Sequence, residues 1–259
     1  MKRCLLISLA LIFVLSLILT IPGCASSKEN GVKTIGTIRL SYSKNLQKYN
    51  IDWSSPASLA LTSSKPSGWA ATEPAYQTGG ALYGLFKLGE STNIPVAVEE
   101  LTGQNQYIAY IDINQNNDLT DDQPLTTQLG NTVEVTLHIS YPDGERQYKI
   151  KVYFWGSASP SHSSYLGLQY FPVCLWEGLI PFEGTSRVVA ILDTSGNGIY
   201  GDDRDTIIID LDGDGQANGH HGSNEILSNL AIPFNISGVA YRVVNVSQTG
   251  EYITVLPVR

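Results

Sequence analysis

A strict period-two alternation is the feature that most constrains this chain. Val133, Val135, Leu137 and Ile139 fall on one face of an extended segment, and Glu134, Thr136, His138 and Ser140 fall on the other. Successive side chains take opposite faces only in a β-strand, so the run predicts a strand buried on one side. It ends in Tyr141-Pro142-Asp143-Gly144, after which Tyr148, Ile150, Val152 and Phe154 resume the alternation. A Pro/Gly turn between two alternating runs predicts a hairpin. Residues 241–246 and 252–256, flanking Gln248-Thr249-Gly250, predict a second. Helical periodicity is hard to find in the body of the chain, so the expected class is all-β with antiparallel strands.

The chain also resembles itself. At an offset of 81 residues, Ile108–Asp112 falls on Val189–Asp193, Asn116 on Asn197, Leu119 on Tyr200, and Asp121-Asp122 on Asp202-Asp203. Each copy runs an apolar strand into an acidic loop and is followed by one of the two hairpins. The repeat predicts two related, sandwich-like antiparallel β-modules, residues 35–156 and 157–259, with Asp/Asn-rich loops between strands. A single fused sandwich is equally compatible with it.

The N-terminus sets the expected compartment. Lys2 and Arg3 precede an uncharged run from Leu5 to Ile21, and Ile21-Pro22-Gly23-Cys24 places a small residue before a cysteine. That order is a secretory signal pattern, and its end resembles the lipobox of bacterial lipoproteins. The resemblance implies cleavage after residue 23, a diacylglycerol-modified Cys24 as the new N-terminus, and attachment to the membrane through that lipid. Pro22 departs from the usual small or hydroxylated residue. An uncleaved anchor is the alternative, because 17 apolar residues cover about 25 Å of helix, the short end of a bilayer span. Residues 24–34 then read as a flexible tether. Both readings put the body outside the cytoplasm, in the cell envelope. Ala25 after the cysteine resembles an outer-membrane sorting signal, which leaves outer membrane or cell surface as the address.

On that reading Cys174 is the sole cysteine of the mature body besides the lipidated one, and no intrachain disulfide is available. Its neighbours in Phe171–Trp176 are apolar, so it is expected in the core. Loss of Lys2 and Arg3 takes the positive residues from 16 to 14 against 24 acids, a formal charge of −10. Such a surface attracts cations and argues against a nucleic-acid partner. Eleven of the 24 acids lie in two short segments, around residues 112–122 and 193–214, a concentration that calls for a counter-cation.

Three loops carry this acid. Asp112, Asn114 and Asn116 occupy positions 1, 3 and 5 of the first, with Asp118 at position 7; Asp193, Ser195 and Asn197 do so in the second; Asp210, Asp212 and Asp214 do so in the third. Alternate residues of a tight loop can all turn an oxygen toward one ion, and calcium takes six to eight oxygens. Position 6 must turn with φ > 0, which Gly198 and Gly215 accept freely and Asn117 tolerates. The stretches resemble the DxDxDG loops of EF-hand, dockerin and integrin-type calcium sites, over about a dozen residues each. An EF-hand closes with an acid at position 12, where this chain has Gln123, Arg204 and His221. Closing carboxylates are therefore sought at Asp121 or Asp122, at Asp202 or Asp203, and at Glu225. Plain Asp/Asn/Gly turns without an ion are the competing explanation. Ca2+ is the expected cofactor, in a structural rather than a functional role.

No GxSxG, HExxH, Walker or Rossmann pattern occurs, and no catalytic residue is assigned. The expected function is a lipid-anchored, calcium-binding β-protein with a structural or ligand-binding role, its partner a glycan or an envelope protein. The alternative is a calcium-dependent hydrolase of glycans or other envelope polymers, for which Glu99 and Asp202 are the acids to test. Trp53, Trp69, Trp155, Trp176 and 14 tyrosines are enough for a sugar-binding or protein-binding face, and equally for core packing.

Overall fold

The computed structural model describes residues 35–51, 56–101, 106–157, 165–182, 184–228, 230 and 232–258. The signal segment, Cys24, the whole tether and Trp53 lie outside the described residues. Among those described, no helix is long and apolar enough to cross a membrane.

Among the described residues seventeen strands follow one another, with one 3-10 turn at Leu46–Tyr49. They are β1 (Gly36–Arg39), β2 (Ser41–Ser43), β3 (Ala57–Ala60), β4 (Leu82–Leu88), β5 (Thr92–Leu101) and β6 (Gln106–Ile111), then β7 (Leu125–Gln128), β8 (Thr132–Tyr141), β9 (Gly144–Ser157), β10 (Tyr165–Pro172), β11 (Leu175–Phe182) and β12 (Thr185–Leu192). The last are β13 (Thr206–Ile209), β14 (Ile226–Leu227), β15 (Phe234–Ile236), β16 (Val239–Val246) and β17 (Tyr252–Pro257). All pairings between strands are antiparallel, and the fold is all-β. The alternating run forms β8, which pairs with β9 as Val133↔Val152, Val135↔Ile150 and Leu137↔Tyr148 around the Pro142-Asp143 turn. The C-terminal hairpin is β16 with β17, with a bulge between Val243 and Asn245.

Four sheets make two sandwiches. Sheet β3-β10-β9-β8 faces sheet β4-β5-β6-β7 across Phe86, Ile94, Val96, Leu137, Ile150, Phe154 and Leu168. Sheet β1-β17-β16-β15 faces sheet β2-β11-β12-β13-β14 across Ile180, Val189, Ile207, Tyr241, Val243, Ile253 and Val255. The two sandwiches correspond in outline: in each, a lone N-terminal strand joins a later three-stranded meander in one sheet, and the other sheet contains a four-stranded meander carrying the acidic loops, to which the second sandwich adds β2. The first sandwich sits in the chain between β2 and β11 of the second. Sheet membership therefore crosses the 156/157 boundary: β1 and β2 belong with the C-terminal strands, and β10 with the N-terminal ones. Residues 32–259 form one compact unit.

The two kinds of sheet differ in sequence because they differ in burial. In β5, β6, β12 and β13 both faces are covered, the outer ones by Trp69, Tyr76 and Leu119 in one sandwich and by Tyr49, Ile51 and Ala217 in the other. These strands read as continuous apolar runs such as Ile207-Ile208-Ile209. Among the described residues, apolar packing covers β8 and β9 on the inner face alone, and these strands keep clean alternation.

Three acidic loops as a candidate metal centre

Each acidic loop joins neighbouring antiparallel strands: the first β6 to β7, the second β12 to β13, the third β13 to β14. Their backbones repeat closely. Position 6 is left-handed in all three, at Asn117 (φ 61), Gly198 (φ 76) and Gly215 (φ 87). Position 4 is left-handed as well, at Gln115 (φ 60), Gly196 (φ 70) and Gly213 (φ 86). Position 8 buries an apolar side chain in each: Leu119, Tyr200 and Ala217. An apolar anchor and two reversed residues bend the intervening chain around its own first side chain.

That first side chain is a buried aspartate, 1% exposed in every loop: Asp112, Asp193 and Asp210. Asp112 accepts the N–H groups of Asn116 (3.1 Å) and Asn117 (3.0 Å), Asp193 those of Gly196 (2.7 Å) and Gly198 (2.6 Å), and Asp210 those of Gly213 (2.6 Å) and Gly215 (3.2 Å). A closing carboxylate accepts the N–H of position 2. Asp122 takes that of Ile113 (3.0 Å), Asp205 that of Thr194 (3.1 Å) and Glu225 that of Leu211 (2.8 Å). Positions 3 and 5 cap local turns: Asn114 accepts from Asn116, Asn116 from Asp118, Ser195 from Asn197, Asn197 from Ile199, Asp212 from Asp214 and Asp214 from Gln216.

The candidate ligands are placed unevenly. In the third loop, ligand oxygens of Asp210, Asp212 and Asp214 lie within 4.8 Å of one another, the one triad of its kind among the described residues. Arg187 Nη1 stands 3.9 Å from Asp210. In the first loop the exposed Asp121 receives the amides of Asn114 (3.2 Å) and Asn116 (2.7 Å), while Asp118 turns to Thr120, whose two hydrogen bonds hold its carboxyl below the usual range. In the second loop Asp202 receives Asn197 Nδ2 (2.8 Å), and Asp203 is exposed on the surface. Asp205 was not among the closing residues expected from the sequence. It lies 12 residues beyond Asp193, past the Asp202-Asp203 pair that aligned with Asp121-Asp122, and its burial (1% exposed) is what sets it apart.

The second loop carries the greatest electrostatic load. Burial pushes the Asp193 carboxyl up, against hydrogen bonds from Tyr148, Gly198, Ser195 and Gly196. Burial pushes Asp205 up to about 8, with the charges of Asp193 and Asp202 adding to it. Neither makes an ion pair with a described residue. Burial also raises Asp122, reinforced by Asp112 and Asp121. Every candidate ligand named in these loops offers a hard oxygen from a carboxylate, an amide or a hydroxyl, the set that calcium prefers and softer metals do not.

The same loop is packed against the first sandwich. Gly89 N donates to Asn197 O (2.7 Å), Tyr148 OH to Asp193 Oδ2 (2.6 Å), and Tyr141 OH to Gly198 O. Tyr200 N donates to Gln248 O (2.9 Å) in the β16–β17 turn. The buried Cys174 thiol lies beside it, 3.8 Å from Tyr200 OH, its pKa raised by burial, and it is a core residue rather than a nucleophile. Glu99 is also buried, held by Tyr110 OH (2.7 Å) and Thr78 N (3.1 Å).

Fold and loops together define a class: an all-β protein of two nested sandwiches whose inter-strand loops gather buried carboxylates. No family model, curated protein or solved structure matches this chain.

Proposed function

We propose that this protein is a lipid-anchored, extracytoplasmic β-protein of the cell envelope whose acidic loops bind calcium, with a structural role at the junction of its two sandwiches. The observation that carries the reading is the pair Asp193 and Asp205. Buried carboxylates without a cationic partner cost folding free energy, and the chain places two of them in one loop at the contact between sandwiches. A cation held by Asp193, Ser195, Asn197, Asp202 and Asp205 would remove that cost. Asp112, Asn114, Asn116 and Asp122 form the matching set in the first loop, and Asp210, Asp212, Asp214 and Glu225 in the third. The shared left-handed positions 4 and 6 support one purpose for all three. The envelope address rests on Lys2 to Cys24, and extracellular calcium modules work at about 10⁻⁴ to 10⁻³ M.

The test is the thermal midpoint of the purified protein in EDTA, then with calcium or magnesium restored. At tenfold excess over its dissociation constant each calcium adds about 1.4 kcal/mol, so the midpoint is expected to rise with calcium and much less with magnesium. An unchanged midpoint would reduce the loops to turns.

A further inference from the structure

Among the described residues no apolar cluster covers the outer face of sheet β3-β10-β9-β8, and at one end this face runs into a cleft of about 600 Å³. One wall is the segment after β2, with Lys44, Asn45 and Gln47; the other is β8 to β10, with Glu134, Lys149, Lys151 and Phe171. The cleft thus lies where the two sandwiches meet, and its volume is in the range of small-ligand sites. In a chain of formal charge −8 it gathers three lysines against one carboxylate. Glu134 is bonded to Lys149 and lies 3.6 Å from Lys151, while Lys44 is exposed and makes no ion pair among the described residues.

Aromatic rings continue the cleft along the same face. Phe171, half-buried, sits opposite Lys151 in the register, and Tyr153 meets it edge-on with centroids 6.3 Å apart. Trp155 follows two residues on along β9, its ring lying over Gly167, where a side-chain carbon would meet Trp155 Cε2 at 2.7 Å. We infer that this cleft and ring row bind a saccharide bearing an anionic group. Rings take the apolar face of a sugar, lysines take its acid, and Glu134, Asn45 and Gln47 accept or donate to its hydroxyls. A DNA phosphate backbone offers no hydroxyl donors to match Glu134, so DNA is the disfavoured occupant. The inference is independent of the calcium reading.

The experiment is calorimetric titration of the purified full-length protein in EDTA, which keeps calcium-bridged binding at the acidic loops from imitating the result. The probes are an oligogalacturonate, a sulfated glycosaminoglycan disaccharide, neutral cellotriose and a short DNA strand. Binding of either acidic sugar, at least about tenfold tighter than cellotriose, supports the inference, and the preference between them tells carboxylate from sulfate. Lys44→Glu, Lys151→Gln and Phe171→Ala are each expected to weaken binding by about tenfold or more at an unchanged thermal midpoint; Lys44 is exposed, so its variant keeps the test valid if the others unfold. No binding by about 10 mM sugar, equal binding of DNA, or full affinity in Lys44→Glu with Lys151→Gln would overturn it.

Discussion

At the scale of single residues, Asp205 links the loops to pH. An unfolded aspartate titrates near 3.9, and burial raises Asp205 to about 8. Between these values the folded, calcium-free chain holds a proton that the unfolded chain has lost. The stability this contributes is complete below about pH 4 and is lost as pH rises through about 8. In EDTA the thermal midpoint should therefore fall between about pH 5 and pH 8 and level off above it, and Asp205→Asn should flatten that fall. An equal slope in both proteins would contradict the placement of Asp205. Gly198 is constrained from two sides, by φ 76 and by Gly89 N, which a side-chain carbon would meet at 3.1 Å. Gly198→Ala is expected to cost about 1–3 kcal/mol in urea unfolding, more than Gly215→Ala, where a side chain meets open space at a similar φ.

At the scale of elements, the third loop separates ion binding from folding. Asp212 and Asp214 are exposed and hydrogen-bond locally, so Asp212→Ala with Asp214→Ala should leave calcium-free stability within about 0.5 kcal/mol per site while removing one bound calcium. The hairpin tolerates less: Leu137 is fully buried, and Leu137→Ala is expected to cost about 2–5 kcal/mol. That hairpin was legible because a half-buried strand writes its burial into every second residue and its turn into Pro142 and Gly144. The acidic loops were legible for a similar reason, since left-handed positions select Gly or Asn, as at Gly198, Gly215 and Asn117. What stayed hidden was long-range. Nothing local in Gly36–Arg39 reveals that β1 pairs with β17, more than 200 residues away. Asp205 stayed hidden because an extended turn moves the closing carboxylate past the position where the repeat aligns.

At the scale of the molecule, one sandwich interrupts the other in the chain, and the second loop lies between them. Its bonds to Gly89, Tyr141 and Tyr148 reach the first sandwich, and its bond to Gln248 reaches the second. If calcium displaces the Asp205 proton and is held between Asp193 and Asp205 there, the sandwiches should melt in one calorimetric transition with calcium and in two with EDTA. The most direct test of the account is a calcium isotherm on the purified protein, with buffer-dependent heats to count displaced protons. Three sites are expected in the range of about 10⁻⁴ to 10⁻³ M, one of them releasing protons near neutral pH and lost in Asp205→Asn. Absence of binding up to about 10 mM calcium would contradict it and leave the three loops as turns built of aspartate, asparagine and glycine.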